Sequence, residues 1–295
     1  FRRGPSVELL TACLVLLAAT IHPIRDLILK GTVYPESAYL GVITVWFFLA
    51  LAHGLYLHVD FLAVLAIWPV ALIGVAGLTL YYIGILTTMK TGDLSVYYPI
   101  IRASPLFIVI GGWLFLGQTY GPVLIVGVLL VMLGAFFLQY KSRAKLLSQP
   151  ATFITAILAM SGMGMQSLAD SEAVRLVDPA ALLVWQYALL AIVCVGYFVV
   201  RKPADRPLTE HLFGGWLLTP GRYMVAAVTS YVSYYLILVS YQLGGNVAAV
   251  NSLRQVSIPL SVVLGGLYLK ELETNKRLGW AIVLAAGVVV IIFGS

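Results

Sequence analysis

The stretch Val75–Gly92, VAGLTLYYIGILTTMKTG, reads against Val228–Gly245, VTSYVSYYLILVSYQLGG, without a gap. A shift of 153 residues superposes Val75 on Val228, Tyr81-Tyr82 on Tyr234-Tyr235 and Gly92 on Gly245. Carried further, it pairs Ser104 with Ser257, Val109 with Val262, Gly112 with Gly265, Leu114 with Leu267 and Gly134 with Gly287. Matches among Leu, Val and Gly arise easily in apolar chains; a matched Tyr-Tyr doublet does not. Nearer the start of each copy a shift of 144 works better, joining Thr11-Ala12 to Thr155-Ala156, Asp26 to Asp170 and Pro35 to Pro179. The nine-residue difference falls where the second copy carries its polar loop, Arg201–Trp216. The chain therefore reads as a duplication, residues 1–147 and 148–295.

Both copies are built from apolar runs. Hydrophobic residues make up 61% of the chain, charged residues only 10%, and the mean hydropathy is +0.98. Soluble domains carry about a quarter charged residues, so most of this surface faces lipid or protein. A spanning helix needs roughly 20 mostly apolar residues. Ten runs meet that length: 7–29, 37–57, 66–89, 94–116, 121–140, 151–174, 179–200, 222–243, 246–269 and 278–294. They lack the period-two alternation of strands, and lipid demands a backbone satisfied within its own segment. The first run follows Arg2 and Arg3 but is too long for a signal peptide and has no small-residue cleavage site before Pro23.

Five spans per copy is an odd number, so the copies sit upside down relative to each other. Twelve Lys and Arg residues, from Lys30 to Arg277, lie in the connections after spans 1, 3, 5, 7 and 9; Arg2, Arg3 and Arg175 lie on the opposite side. By the positive-inside rule the richer side is cytoplasmic and both termini are outside. The fold expected is all-α: a polytopic membrane protein with ten transmembrane helices as two inverted five-helix repeats, multi-pass in a bacterial cytoplasmic (inner) membrane. The net charge of +6 is then orientation, not a nucleic-acid footprint. Cys13 and Cys194 read as small core residues rather than a disulfide or a metal site.

Ionisable residues within spans are costly and mark cavities, pathways or internal pairs. Arg25, Arg102 and Arg254 are three such cations. Arg102 and Arg254 fall one position apart in the repeat, in spans 4 and 9, and two guanidiniums facing one cavity suit a carboxylate or phosphate. The alternative is that each pairs with a buried acid. Asp26 and Asp170 occupy matching positions in spans 1 and 6, with His22 and Gln166 one helical turn before them. Such a carboxyl either loads and unloads a coupling proton or forms an internal salt bridge to an arginine.

Tyr81, Tyr82, Tyr98, Tyr231, Tyr234 and Tyr235 offer apolar faces with hydroxyls, suited to an organic solute or to the membrane interface. Asn251 joins the candidate solute site on span 9. Trp46, Trp113, Trp185 and Trp280 read as belt or packing residues. Gly127, Gly134, Gly279 and Gly287 are expected to let spans 5 and 10 approach closely. Pro99, Pro105 and Pro259 are expected to interrupt spans 4 and 9, where broken helices supply midplane sites. The four histidines are scattered, with no metal-ligand spacing, and no catalytic or nucleotide-binding motif occurs. Neither a cofactor nor enzymatic activity is expected.

Two stretches, Gly92-Asp93-Leu94-Ser95-Val96-Tyr97-Tyr98-Pro99-Ile100-Ile101-Arg102 and Ser252-Leu253-Arg254-Gln255-Val256-Ser257, resemble the helix 4 and 9 motifs of EamA-like members of the drug/metabolite transporter superfamily. Leu114-Phe115-Leu116-Gly117-Gln118 and Leu267-Tyr268-Leu269-Lys270-Glu271 resemble that family's Leu-x-Leu-Gly/Lys-Glu ending, with Gln118 departing from the usual Glu. The resemblance implies a secondary transporter, often an exporter, working by alternating access. It implies a cavity lined by spans 1, 3, 4, 6, 8 and 9, with 5 and 10 peripheral, and termini in the cytoplasm, opposite to the charge count. The expected cargo is a small organic solute, anionic or zwitterionic, carried by a monomer or homodimer among membrane lipids. A flippase for a phospholipid or lipid-linked head group is the alternative, and a membrane-embedded lipid enzyme a remoter one.

Overall fold

The computed structural model describes residues 5–29, 34–91, 94–139, 149–260 and 274–294. Among these there is no strand. The helices are α1 (Pro5–Leu29), α2 (Pro35–Tyr56), α3 (Trp68–Thr91), α4 (Leu94–Ile101), α5 (Ser104–Leu116), α6 (Pro122–Gln139), α7 (Pro150–Ala173), α8 (Pro179–Val200), α9 (Leu208–Leu218), α10 (Pro220–Gln242), α11 (Val247–Leu253) and α12 (Thr274–Gly294). Proline starts α2, α7, α8 and α10, where its missing N–H and fixed φ cost nothing. Asp178 caps α8 by accepting from Ala180 N at 2.7 Å, and Asn246 caps α11 from Ala248 N and Ala249 N.

Among the described residues six segments are long and apolar enough to cross a membrane, one being Phe61–Thr88, which begins as a 3-10 turn capped by Asp60 and runs on into α3. Polarity is distributed as lipid requires. Phe48, Trp113, Phe115, Ile192 and Phe293 are exposed, whereas Asp170, Gln166, Gln186 and Ser252 are buried. The chain is an all-α integral membrane protein.

Helices pair along their lengths as α3 with α7, α1 with α10, α2 with α8 and α6 with α12. Small residues set the approach. A Cβ on Gly77 would stand 2.6 Å from the Gln166 nitrogen and the Gly162 carbonyl, so α3 and α7 touch backbone to backbone. Gly127, Gly134 and Gly287 do the same between α6 and α12, as expected, whereas Gly279 has nothing within 4 Å.

Spans 4 and 9 are interrupted as expected, and the fold adds four details to the sequence reading. Span 4 is two helices, α4 and α5, parted at Arg102-Ala103; the chain stays helical through Pro99, and the break comes just ahead of Pro105. Span 9 likewise tightens into a 3-10 turn at Arg254–Val256 before helix resumes over 257–260, ahead of Pro259's place in that turn. In both cases the proline lacks the N–H that would close the preceding turn, and its ring crowds the carbonyl four residues back. Third, the Arg201–Trp216 stretch is only partly a loop, because α9 forms within it and packs on α2. Fourth, Cys194 is buried as expected but Cys13 is exposed on α1; both are free thiols.

Candidate functional site

A narrow cavity lies where α1, α2, α3, α7, α8 and α10 meet, with Arg254 contributed by the turn after α11. Its volume is about 40 Å³, room for a few waters. The walls are aromatic. Trp46, buried on α2, packs on Tyr187 at 4.6 Å and Tyr234 at 5.7 Å, and its Nε1 donates to Ser230 Oγ at 3.0 Å. Tyr81 and Tyr82 enter from α3, Met163 and Gln166 from α7, and Ser233, which donates to the Ala18 carbonyl at 2.8 Å, from α10.

Two guanidiniums reach this cavity, and each lies over a tyrosine ring. Arg25 is 5.9 Å from the Tyr39 centroid and Arg254 is 5.6 Å from that of Tyr234. The ring quadrupole attracts each cation and fixes where it stands in the cavity wall. Arg254 is further steered by Asn251, whose Oδ1 accepts from Arg254 Nη1 at 3.4 Å and from Ser167 Oγ at 3.2 Å. The Asn251 amide nitrogen donates to Tyr241 Oη at 2.6 Å and to the Val247 carbonyl at 2.9 Å. Both N–H groups and both acceptor positions of that amide are filled, which locks it between α7, α10 and α11.

Behind Tyr234 sits Asp170, fully buried on α7. Its Oδ2 accepts from the Tyr234 hydroxyl and its Oδ1 from Gln186 Nε2, each at 2.5 Å, and Gln166 Nε2 donates to the same hydroxyl at 3.0 Å. Gly74 makes this enclosure possible, since a Cβ there would stand 3.1 Å from Asp170 Oδ1 and 2.6 Å from Gln186 Nε2. Tyr234 thus has its hydroxyl on a buried carboxyl and its face towards a cavity cation.

Of the residues singled out from sequence, Arg254, Tyr81, Tyr82, Tyr234 and Gln166 line the cavity, and Asn251 holds Arg254. Asp170 is one side chain removed. Its expected salt bridge is not formed: among the described residues its partners are the neutral Tyr234 and Gln186, and the Tyr234 ring stands between it and Arg254. Arg102 is not among the lining residues. It is buried, donates to Tyr98 Oη at 2.7 Å and lies 5.1 Å from that ring, and the guanidiniums that line this cavity are those of Arg25 and Arg254. Tyr235 turns instead to His53, at 4.6 Å, and to Tyr231. The side chains of His22 and Asp26 lie outside the described residues. α2 and α8 line the cavity and α4 does not, unlike the set the resemblance implies.

Trp46, Tyr187, Gln186, Ser230 and Ser233 were missed. Ser230, Ser233 and Tyr234 fall at i, i+3 and i+4 on α10, a polar face legible in the sequence. Gln186 was also visible as the one amide of an otherwise apolar span. Trp46, followed by Phe47-Phe48, carried no such mark. Among the described residues no three His, Cys, Asp or Glu side chains cluster as a metal site would require.

Neither a family model nor a curated protein matches the chain. Solved structures do match in shape. One, described only as the crystal structure of a protein, is similar with a TM-score of 0.74 and 18% identity over 97% of each chain. At that identity the likeness shows a shared fold, over the whole length of both chains, and nothing more.

Proposed function

We propose that the protein is a secondary transporter, of the EamA-like type in the drug/metabolite transporter superfamily, moving a small organic solute with a carboxylate or phosphate group by alternating access. The observation that carries this reading is the pair Arg25 and Arg254 in an aromatic cavity where six helices meet. A buried cation is expensive to hold in a membrane and marks a pathway or a binding site. With room for only a few waters, the cavity admits such a solute only when the helices around it part, as rocking halves would do.

The reading takes ten spans as two inverted five-helix copies. Helix pairing supports it. Exchanging the copies turns the α3–α7 pair into the α10–α1 pair, and leaves α2–α8 and α6–α12 mapped on themselves. Asp170, held by neutral donors rather than an arginine, is free of the structural role that an ion pair would give it, which favours proton coupling.

The test is uptake by the purified full chain in liposomes under a pH gradient, with carboxylates, phosphate esters, amino acids and amines offered in turn. An anion entering above empty vesicles, and not entering with Arg254→Ala, is the expected result. No movement of any solute overturns the reading; scrambling of a labelled phospholipid by the same vesicles, with no solute uptake, reassigns the protein as a flippase.

A further inference from the structure

The alignment of the two copies shifts by nine residues at the Arg201–Trp216 stretch, and there the second copy builds a feature of its own. α8 ends at Val200 and α10 begins at Pro220, so both must leave and re-enter the membrane here. Between them α9 lies against α2. Gly215 N and Trp216 N both approach Ser37 Oγ, at 3.1 and 3.3 Å, and His211, Leu212, Gly214 and Gly215 are buried. The opposite face of this short helix is apolar as well: Phe213, Leu217 and Leu218 are 49%, 73% and 70% exposed. A helix joining two spans with its inner face on protein and its outer face bare and apolar lies in the membrane interface.

Cations flank α9 along the chain. Arg201 and Lys202 follow α8, Arg206 precedes α9, and Arg222 opens α10. The connection is folded back on itself, with Lys202 Nζ donating to the carbonyls of Pro203 and Arg206 at 3.0 and 2.8 Å. Arg206 lies 5.1 Å from the Tyr34 ring, and Arg222 Nε donates to the Ile28 carbonyl. Two acids, Asp205 and Glu210, share the region, and Glu210 is committed to Tyr34, whose hydroxyl donates to it at 2.8 Å and is held above its ordinary pKa by that bond and charge. Among the described residues four cations flank α9, Asp205 and Glu210 are the acids on the surface beside them, and Glu36 is buried beneath; this basic surface beside an exposed apolar helix complements one kind of partner.

We propose that α9 and its flanking cations form a binding site for an anionic phospholipid, with the headgroup phosphate against Arg201, Arg206 and Arg222 and the acyl chains over Phe213, Leu217 and Leu218. Lipid supplies both halves of the match, since cations near a bilayer surface attract anionic headgroups while the interfacial helix buries its apolar face among the chains. The proposal rests on the membrane fold, not on transport.

The test is retention of phosphatidylglycerol and of phosphatidylcholine by the full chain after delipidation, read by native mass spectrometry. The wild type is expected to keep phosphatidylglycerol over phosphatidylcholine by at least about fivefold, the contribution of one surface cation facing anionic lipid. Arg201→Gln/Arg206→Gln/Arg222→Gln should bring the two to parity, and the matching Lys substitutions should keep the preference. Size-exclusion chromatography and thermal melting check that each variant folds; where the triple Gln protein does not, Arg201→Gln/Arg206→Gln is used. Equal retention by the wild type, an unchanged preference in the Gln variant, or equal competition by inorganic phosphate would overturn the proposal.

Discussion

The chain breaks two helices, at Arg102-Ala103 and at Arg254–Val256, where a shift of 153 residues brings the two arginines to within one position of each other, and it uses the breaks differently. At Arg254–Val256 the backbone tightens into a 3-10 turn, and Arg254 swings over Tyr234 into the cavity under the hold of a fully satisfied Asn251. At Arg102-Ala103 the same kind of break leaves Arg102 on Tyr98 of its own helix, away from that cavity. What separates them is the neighbour one turn before. Asn251 reaches α7 and α10 through Ser167 and Tyr241 and carries Arg254 towards them; Tyr98, one turn before Arg102, offers that cation its ring and hydroxyl. Two positions that align in the sequence stand in different surroundings, and only Arg254 lines the cavity.

The largest effect expected from this asymmetry is on transport. Arg254→Ala removes one of the cavity's two guanidiniums, and a charge-assisted hydrogen bond to an anion is worth about 1.5–3 kcal/mol, so uptake at limiting solute should fall by about tenfold or more. Arg102→Ala should stay within about threefold, a loss well under the 1.4 kcal/mol of a tenfold change. Initial rates in liposomes, normalised to inserted protein, measure both. Equal losses would place the two arginines in one site after all.

Next come the groups that hold each arginine. Asn251→Ala leaves the Tyr241 and Ser167 hydroxyls and Arg254 without a shared partner in a buried region, a cost of about 1–3 kcal/mol. Tyr98→Phe keeps the ring beneath Arg102 and removes one hydroxyl contact to a cation, about 1.5–3 kcal/mol. Denaturant unfolding in detergent should show both variants destabilised, and only Asn251→Ala should also slow uptake.

Much of this was legible before any coordinates. Helix positions followed from apolar run lengths, because lipid allows no other use for twenty such residues, and the Tyr-Tyr match found the pair of helices that carry Tyr81 and Tyr234. The breaks were readable from proline, although Pro99 was over-read: it lies inside α4, and only Pro105 and Pro259 have a break just ahead of them. Spacing could not say which way a buried side chain turns. Arg102 and Arg254 are one position apart in the repeat, yet only one lines the cavity, and Trp46 reads like any interfacial tryptophan until α10 brings Ser230 to its nitrogen. Rotamers and helix rotation are set by contacts between segments far apart in sequence. Asp170 shows the same limit, since its burial was expected but its neutral partners were not.

The prolines give the smallest and sharpest contrast. Pro105 sits in the first turn of α5, where a missing N–H goes unused and the fixed φ suits a helix. Replacing it should therefore change stability by under about 1 kcal/mol. Pro105→Ala does restore an N–H able to close onto the Ile101 carbonyl and removes a ring crowding it, so α4 and α5 can join and draw Arg102 into a continuous helix. Because that arginine does not line the cavity, uptake is expected to stay within about twofold, below the 1.4 kcal/mol of a tenfold change. Pro259→Ala, by the same steric argument, relaxes the turn that aims Arg254, and uptake should fall severalfold with little change in melting temperature. A Pro105→Ala protein that loses uptake as Pro259→Ala does would mean that both breaks serve the solute, and that the first copy's arginine enters the cavity in another state of the transport cycle.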